Sequence, residues 1–269
     1  VPSTLLAKQH FETFRKRFQN FANVGLITRF TDTKTKKKIL EDFQNSSIKI
    51  LITTHAIFSC DLSKAKLGLI IIDEEQHFGV AQKEKIKKFK EHVNILTLSA
   101  TPIPRTLYMS LLGIRELSLI KTPPVDRKSV QTYICKFEKA IIYRAINHEL
   151  KRNGQVFLVV PKISDTVKVL QKVKTILPNI KLGIAHGKLK TKEIEIVMEE
   201  FYEHKIDLLI STSIIEAGLD IPNANTLIVY KSDYFGLAQL HQLRGRIGRS
   251  KIKGYAYFSV EKNKITDNA

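Results

Sequence analysis

Apolar runs alternate with amphipathic stretches along this chain in a regular rhythm. Ile48–Thr53, Leu67–Ile72, Val93–Leu98, Gln155–Val160, Ile206–Ile210 and Asn225–Tyr230 are rich in Ile, Leu and Val with little polar alternation. That pattern predicts strands covered on both faces. Between them, apolar residues recur every three or four positions. Ala7, Phe11, Phe14, Phe18 and Phe21 predict one helix. Val167, Leu170, Val173 and Leu177 predict a second, with Ser164 as its N-cap and Pro178 as its stop. Ile142, Ala145 and Leu150 line a third, closed by Gly154. Strands alternating with helices predict an α/β fold of parallel sheets joined by crossover helices. The rhythm breaks at Lys121-Thr-Pro-Pro-Val-Asp-Arg127, where two adjacent prolines favour extended backbone. This places a domain boundary there, between residues 1–122 and 123–269, and 269 residues suffice for two cores.

Composition narrows the class. No run of 18 apolar residues exists, so no membrane-spanning helix is expected, and the first residues do not read as a secretory signal. Val1 in place of Met suggests a chain that begins inside a longer protein or has been processed. Cys60 and Cys135 are too few for a disulfide framework or a metal cluster, which favours a reducing, cytoplasmic setting. The formal charge is +18 and the pI about 9.8, a balance that favours a polyanionic partner, nucleic acid above all. Lysine runs such as Lys34–Lys38 and Lys83–Lys90 also fit solvated helix faces, which would raise the count without any partner.

Four segments carry candidate chemistry. Ile70-Ile-Ile-Asp-Glu-Glu-Gln76 puts acids directly after a buried strand, where parallel sheets bind ligands. Asp73 is placed to hold magnesium through water, and Glu74 to orient or deprotonate an attacking water. Leu98-Ser-Ala-Thr-Pro-Ile-Pro-Arg105 follows the next strand. The hydroxyls of Ser99 and Thr101 can bond the acidic loop, and Arg105 can reach a backbone phosphate; a simple capped turn explains the hydroxyls equally well. In Thr212-Ser-Ile-Ile-Glu-Ala-Gly-Leu-Asp-Ile-Pro222, Thr212 can bond a phosphate, Gly218 permits close approach and Asp220 can accept from a ribose or an arginine. Gln239–Ser250, read as the last helical segment, sets Arg244, Arg246 and Arg249 among Gly245 and Gly248, a spacing suited to a triphosphate.

These four segments, in this order, resemble helicase superfamily two. Val1–His10, Phe78-Gly-Val80, Ala100–Leu107, Gly113–Ser118 and Phe235–Arg249 look like the motor region of the transcription-repair coupling family, with the RecG fork helicases as nearest relatives. The resemblance covers almost the whole chain. It implies two RecA-like lobes with ATP and Mg²⁺ between them. Asp73 and Glu74 would be the metal and water residues, Arg246 and Arg249 the arginine fingers, and Gln242 a nucleotide sensor. Gly218 and Asp220 would complete the cleft. Gln76, His77, Ser99 and Thr101 would couple hydrolysis to motion, although the family more often has Arg at the place of His77. Thr4, Thr54, His55, Arg105, His186 and Thr212 match positions beside the tracked strand of double-stranded DNA. RNA polymerase and the excinuclease A subunit are partners of the family through regions outside this chain.

One departure matters. The 269 residues contain no Gly-x-x-x-x-Gly-Lys-Ser/Thr loop. The nearest decoy, Gly183-Ile-Ala-His-Gly-Lys-Leu189, is one residue short and ends in Leu189 where magnesium needs a hydroxyl. In the family the loop lies just upstream of the segment matching Val1. The first lobe is therefore expected to be incomplete, and this chain by itself to turn over little ATP.

Overall fold

The computed structural model describes residues 1–74, 78–79, 93–99, 118–120, 122, 128–212, 221–248 and 252–260. The chain divides into two compact units, Val1–Ile120 and Lys121–Ala269. No helix among the described residues is long and apolar enough to cross a membrane.

The described elements of the first unit are α1 (Thr4–Phe18), β1 (Asn23–Ile27), α2 (Thr33–Gln44), β2 (Ile48–Thr53), β3 (Leu69–Asp73) and β4 (Asn94–Leu98). Ser3 caps α1 by accepting from the Leu6 amide at 3.2 Å. The first turn of α1 buries Leu5, Leu6 and Ala7, and the helix packs on β1 and β2. Arg15, Lys16 and Arg17 in its last turn complement the helix dipole. Phe21 does not extend the apolar stripe. The helix stops at Phe18, whose carbonyl takes the Phe21 and Ala22 amides in a tight turn, and Phe21 is left 84% exposed. The Lys34–Lys38 run lies on α2, a helix with no buried residue. The Lys83–Lys90 run lies outside the described residues.

Strands β1 and β2 pair in parallel, as do β3 and β4. Coverage on both faces fails for β3 and β4, where Leu69, Ile71, Leu96 and Leu98 are all exposed. By register these four share one face of a two-stranded sheet. Aliphatic composition alone does not distinguish one covered face from two.

The second unit contains β5 (Gln131–Lys136), α3 (Lys139–Lys151), β6 (Gln155–Val159), α4 (Ile163–Ile176), β7 (Leu182–Ala185), α5 (Thr191–Tyr202), β8 (Leu208–Ser211), β9 (Ala224–Val229), α6 (Leu237–Arg244) and β10 (Tyr255–Val260). Its six described strands run in the order β5-β10-β9-β6-β8-β7, every pairing parallel. Here β6, β8 and β9 are buried at every position, as aliphatic runs without alternation predict. Val156, Leu158, Leu208 and Ile210 pack against Ile142 and Ile146 of α3 and Val169 and Val173 of α4. On the other face Phe157 meets Phe201 of α5 at 5.0 Å. The Gln155 amide, buried at the start of β6, donates to the carbonyls of Phe201 at 2.6 Å and Ile206 at 2.7 Å.

Three helix-end expectations need correction. Helix α4 starts one residue before Ser164, with Lys162 at the cap, so Ser164 lies inside the first turn. Its buried stripe runs through Thr166, Val169 and Val173 rather than Val167, which is 57% exposed. After α3 the left-handed residue is Asn153, at φ 54°, not Gly154. Gly154 is required for a different reason: a Cβ there would lie 1.7 Å from Oε1 of Glu149. The Gln239–Ser250 segment is helical only to Arg244; Gly245 caps it and Gly248 sits at φ 64°.

Candidate functional site

Each parallel strand delivers its last residues to one edge of its sheet, and Thr54, Asp73 and Ser99 in the first unit and His186 and Thr212 in the second stand at such strand ends. In the first unit Asp73 is the final residue of β3. Its Oδ2 lies 3.3 Å from Nε2 of His10, on the second turn of α1. The His10 hydrogen bond holds the Asp73 carboxyl below its ordinary range, against an opposing push from partial burial, and the Glu74 amide adds to the lowering. Asp73 is therefore ionised at neutral pH. It then accepts only, so Nε2 of His10 carries the hydrogen.

Glu74 is the next residue and is 5% exposed. It adopts a left-handed backbone, φ 53°, while its amide donates to the Leu98 carbonyl of β4 at 3.0 Å. Among the described residues five non-glycines have positive φ: Ser46, Glu74, Asn153, His204 and Lys231. Ser46, Asn153 and His204 follow helix ends, where that conformation is routine. At a strand end it costs a non-glycine residue on the order of 1 kcal/mol and marks a constrained site. Backbone strain at Glu74 is a signal that motif reading lacked. His10 was also missed, since a lone histidine on a helix carries no spacing rule.

Thr54 and His55 follow β2; the Thr54 amide donates to Ile27 at 3.3 Å, and its hydroxyl accepts from Ala56. The His55 ring packs on Phe78 at 4.5 Å, which brings the end of β2 to the loop beyond Asp73. Thr4 is the first residue of α1, and Ser99, directly after β4, is exposed. Asp73 with one oxygen held by His10 suits magnesium bound through water, which needs one or two carboxylates rather than a full cage. Among the described residues no cluster of three metal-ligating side chains exists.

In the second unit His186 follows β7 and Thr212 follows β8, and the Thr212 amide donates to Ala185 at 3.2 Å. They are thus neighbours on one sheet edge. The His186 Nδ1 is buried with no hydrogen-bond partner, as is the Ser211 hydroxyl beside it. Unmet buried polar atoms at a sheet's carboxyl edge are where a ligand supplies the missing bonds. Gln242 lies half-buried on α6. Arg246 lies beyond the helix end, 5% exposed, and its amide donates to Leu243 at 3.0 Å. Gly248 faces Gly254 so closely that a Cβ at Gly248 would stand 3.5 Å from the Cα of Gly254. The first half of the decoy segment is strand: Gly183 lies in β7, and a Cβ there would come within 2.7 Å of Ile206. Gln76, His77, Thr101, Arg105, Gly218, Asp220 and Arg249 lie outside the described residues.

Acids thus stand at a strand end in one unit, and a buried arginine lies beyond a glycine-capped helix in the other. Residues 1–110 match the DEAD/DEAH box helicase family and residues 138–251 the helicase conserved C-terminal domain. The chain belongs to helicase superfamily two, and its fold is that of two RecA-like lobes.

Among curated proteins it is similar to the transcription-repair-coupling factor of Bacillus subtilis strain 168, 48% identical over 266 residues that make up 98% of this chain and 23% of that protein. The factor from Staphylococcus aureus strain USA300 is 45% identical over the same lengths. The chain thus spans about a quarter of the length of these relatives. Among solved structures, RecG bound to a three-way DNA junction superposes with a TM-score of 0.80 at 35% identity, over 99% of this chain and 36% of RecG. The helicase MrfA bound to DNA and AMPPNP shares the fold, with a TM-score of 0.69 at 17% identity over 97% of this chain and 41% of that one.

Proposed function

We propose that this chain is the motor core of an ATP-dependent double-stranded DNA translocase acting in transcription-coupled repair, where the whole polypeptide displaces stalled RNA polymerase. The pairing of an ionised, histidine-held Asp73 with a buried, left-handed Glu74 at one strand end carries the reading. Asp73 would hold Mg²⁺ through water, and the ion would supply charge neutralisation at the phosphates. Glu74 orients the attacking water and accepts its proton. Gln242 senses the nucleotide, Arg246 and Arg249 neutralise charge developing on the transferred phosphoryl group, and Gly218 and Asp220 complete the cleft. Gln76, His77, Ser99 and Thr101 couple hydrolysis to movement. Thr4, Thr54, His55, Arg105, His186 and Thr212 contact phosphate and sugar of the tracked strand, so binding is independent of sequence. Contact with RNA polymerase and the excinuclease A subunit belongs to other regions, and the setting is the cytoplasm.

The likeness to RecG favours a second reading, a fork-regressing helicase. The absence of a Gly-x-x-x-x-Gly-Lys-Ser/Thr loop from these 269 residues favours a third, a nucleic-acid-binding piece without turnover. One experiment orders all three. The chain alone, and a polypeptide extended to include the loop, are assayed for DNA-stimulated ATPase, polymerase displacement and fork regression. The expected result is salt-sensitive DNA binding with almost no ATPase by the chain, and polymerase displacement by the extended form that Glu74→Gln abolishes. Brisk ATPase by the 269 residues alone would overturn the assignment of the phosphate loop to another segment.

A further inference from the structure

Helix α1 has two kinds of contact. Leu5, Leu6 and Ala7 anchor its first turn in the core of the first unit. One turn further along, His10 leaves that core and reaches the end of a different strand pair, with Nε2 3.3 Å from Oδ2 of Asp73. Positions 3, 6, 7 and 10 share one helix face. The helix that Ser3 caps and Leu6 anchors therefore fixes where His10 stands. The ring is half exposed and meets Phe14 edge-on at 6.5 Å, which limits its swing from the far side. Asp73 has only 22% of its side chain exposed. A carboxylate at the end of a strand can rotate about χ1 and χ2, and a metal held through water discriminates among those rotamers. Hydrogen bonds from a neighbouring side chain to the oxygen that does not face the ion are a general means of fixing such a carboxylate.

Resting on the reading of Asp73 as the magnesium residue, we propose that His10 is a positioning residue, whose Nε2–H pins Oδ2 of Asp73 so that Oδ1 presents to the metal's water shell. His10 touches neither metal nor nucleotide. It acts through the carboxylate, and α1 supplies the rigid mount.

The test uses the 269-residue chain with Mn²⁺ as the only added metal, and reads NMR paramagnetic broadening at the Ile72 and Glu74 amides across millimolar Mn²⁺. Long-range ¹H–¹⁵N spectra of the imidazoles give the tautomer. In the wild type, broadening should centre on Asp73 and His10 should carry its hydrogen on Nε2. Asp73→Asn should abolish the broadening. His10→Ala should weaken the apparent Mn²⁺ affinity roughly tenfold. His10→Gln, whose Nε2 can occupy the place of the histidine donor, should stay within about twofold of wild type. No broadening in the wild type, or broadening indifferent to Asp73→Asn, would sink the metal reading itself and the proposal with it. Broadening that Asp73→Asn abolishes but His10→Ala leaves unchanged would overturn the role of His10 alone. Equal losses in His10→Ala and His10→Gln would reduce that role to packing, and hydrogen on Nδ1 of His10 would exclude the bond.

Discussion

Glu149 shows how a single buried charge can fix a turn. It is fully buried near the end of α3, and its Oε2 accepts from both Nη2 of Arg152 and the Thr226 hydroxyl of β9. Arg152 also donates to Oε1 at 3.1 Å and, through Nη1, to the Lys253 carbonyl at 2.8 Å. This network ties α3, β9 and the approach to β10 at the sheet edge opposite His186 and Thr212. Gly154 is the space the carboxylate occupies, and a side chain held by three donors cannot step aside. Gly154→Ala is therefore expected to cost about 2–4 kcal/mol in a urea or guanidinium melt, although Ala is the commonest harmless replacement for Gly. Glu149→Gln should also destabilise, by less, because it strips the partly exposed Arg152 guanidinium of its counter-charge. If both substitutions shift the midpoint by less than half a kilocalorie per mole, the network is not holding the turn.

At the scale of elements, capping decides more than composition does. The Asp32 carboxylate accepts from the Thr35 amide at 2.9 Å and caps α2, a helix with no buried residue. That backbone bond holds the carboxyl below its usual value of 3.8. A lowered folded value means the cap's contribution is present above about pH 3.8 and is lost as the pH falls through the folded value. Asp32→Ala should lower the thermal midpoint at pH 7, and the gap from wild type should close below pH 3.8. A gap that is constant from pH 7 to pH 3 would show that the charge is irrelevant. The same physics explains what was legible in the sequence. Strands β6, β8 and β9 were readable because burial on both faces demands unbroken aliphatic runs. Strands β1, β5, β7 and β10 were not, since Asn23–Ile27 and Leu182–Ala185 are short and contain glycine, and Gln131–Lys136 is an edge strand exposed at all positions but one. Asp73, Glu74 and Arg246 were readable from motif spacing. The left-handed turn at Glu74 and the reach of His10 were not, because both depend on contacts between segments far apart in the chain.

At the scale of the molecule, the +18 charge and the proposed strand contacts make separable claims about salt. Each phosphate neutralised by a charged side chain contributes about 0.9 to the slope of log affinity against log salt on duplex DNA. Arg105→Ala should flatten that slope by about this amount. Thr212→Ala should weaken binding without changing the slope, since a hydroxyl releases no counterion. A slope that Arg105→Ala leaves intact would remove Arg105 from the interface. Asp73 and Glu74 belong to the first unit, Gln242, Arg246 and Arg249 to the second. Serving one triphosphate would make them energetically interdependent however the units sit when empty. A double-mutant cycle reads this directly. In the extended polypeptide, Glu74→Gln and Arg246→Ala should each reduce binding of a nucleotide transition-state analogue. Their joint effect should differ from the sum by on the order of 1 kcal/mol or more, as it does for residues sharing a ligand. Additivity within about 0.3 kcal/mol would mean separate sites, and the acids and the arginine would then have to be explained independently.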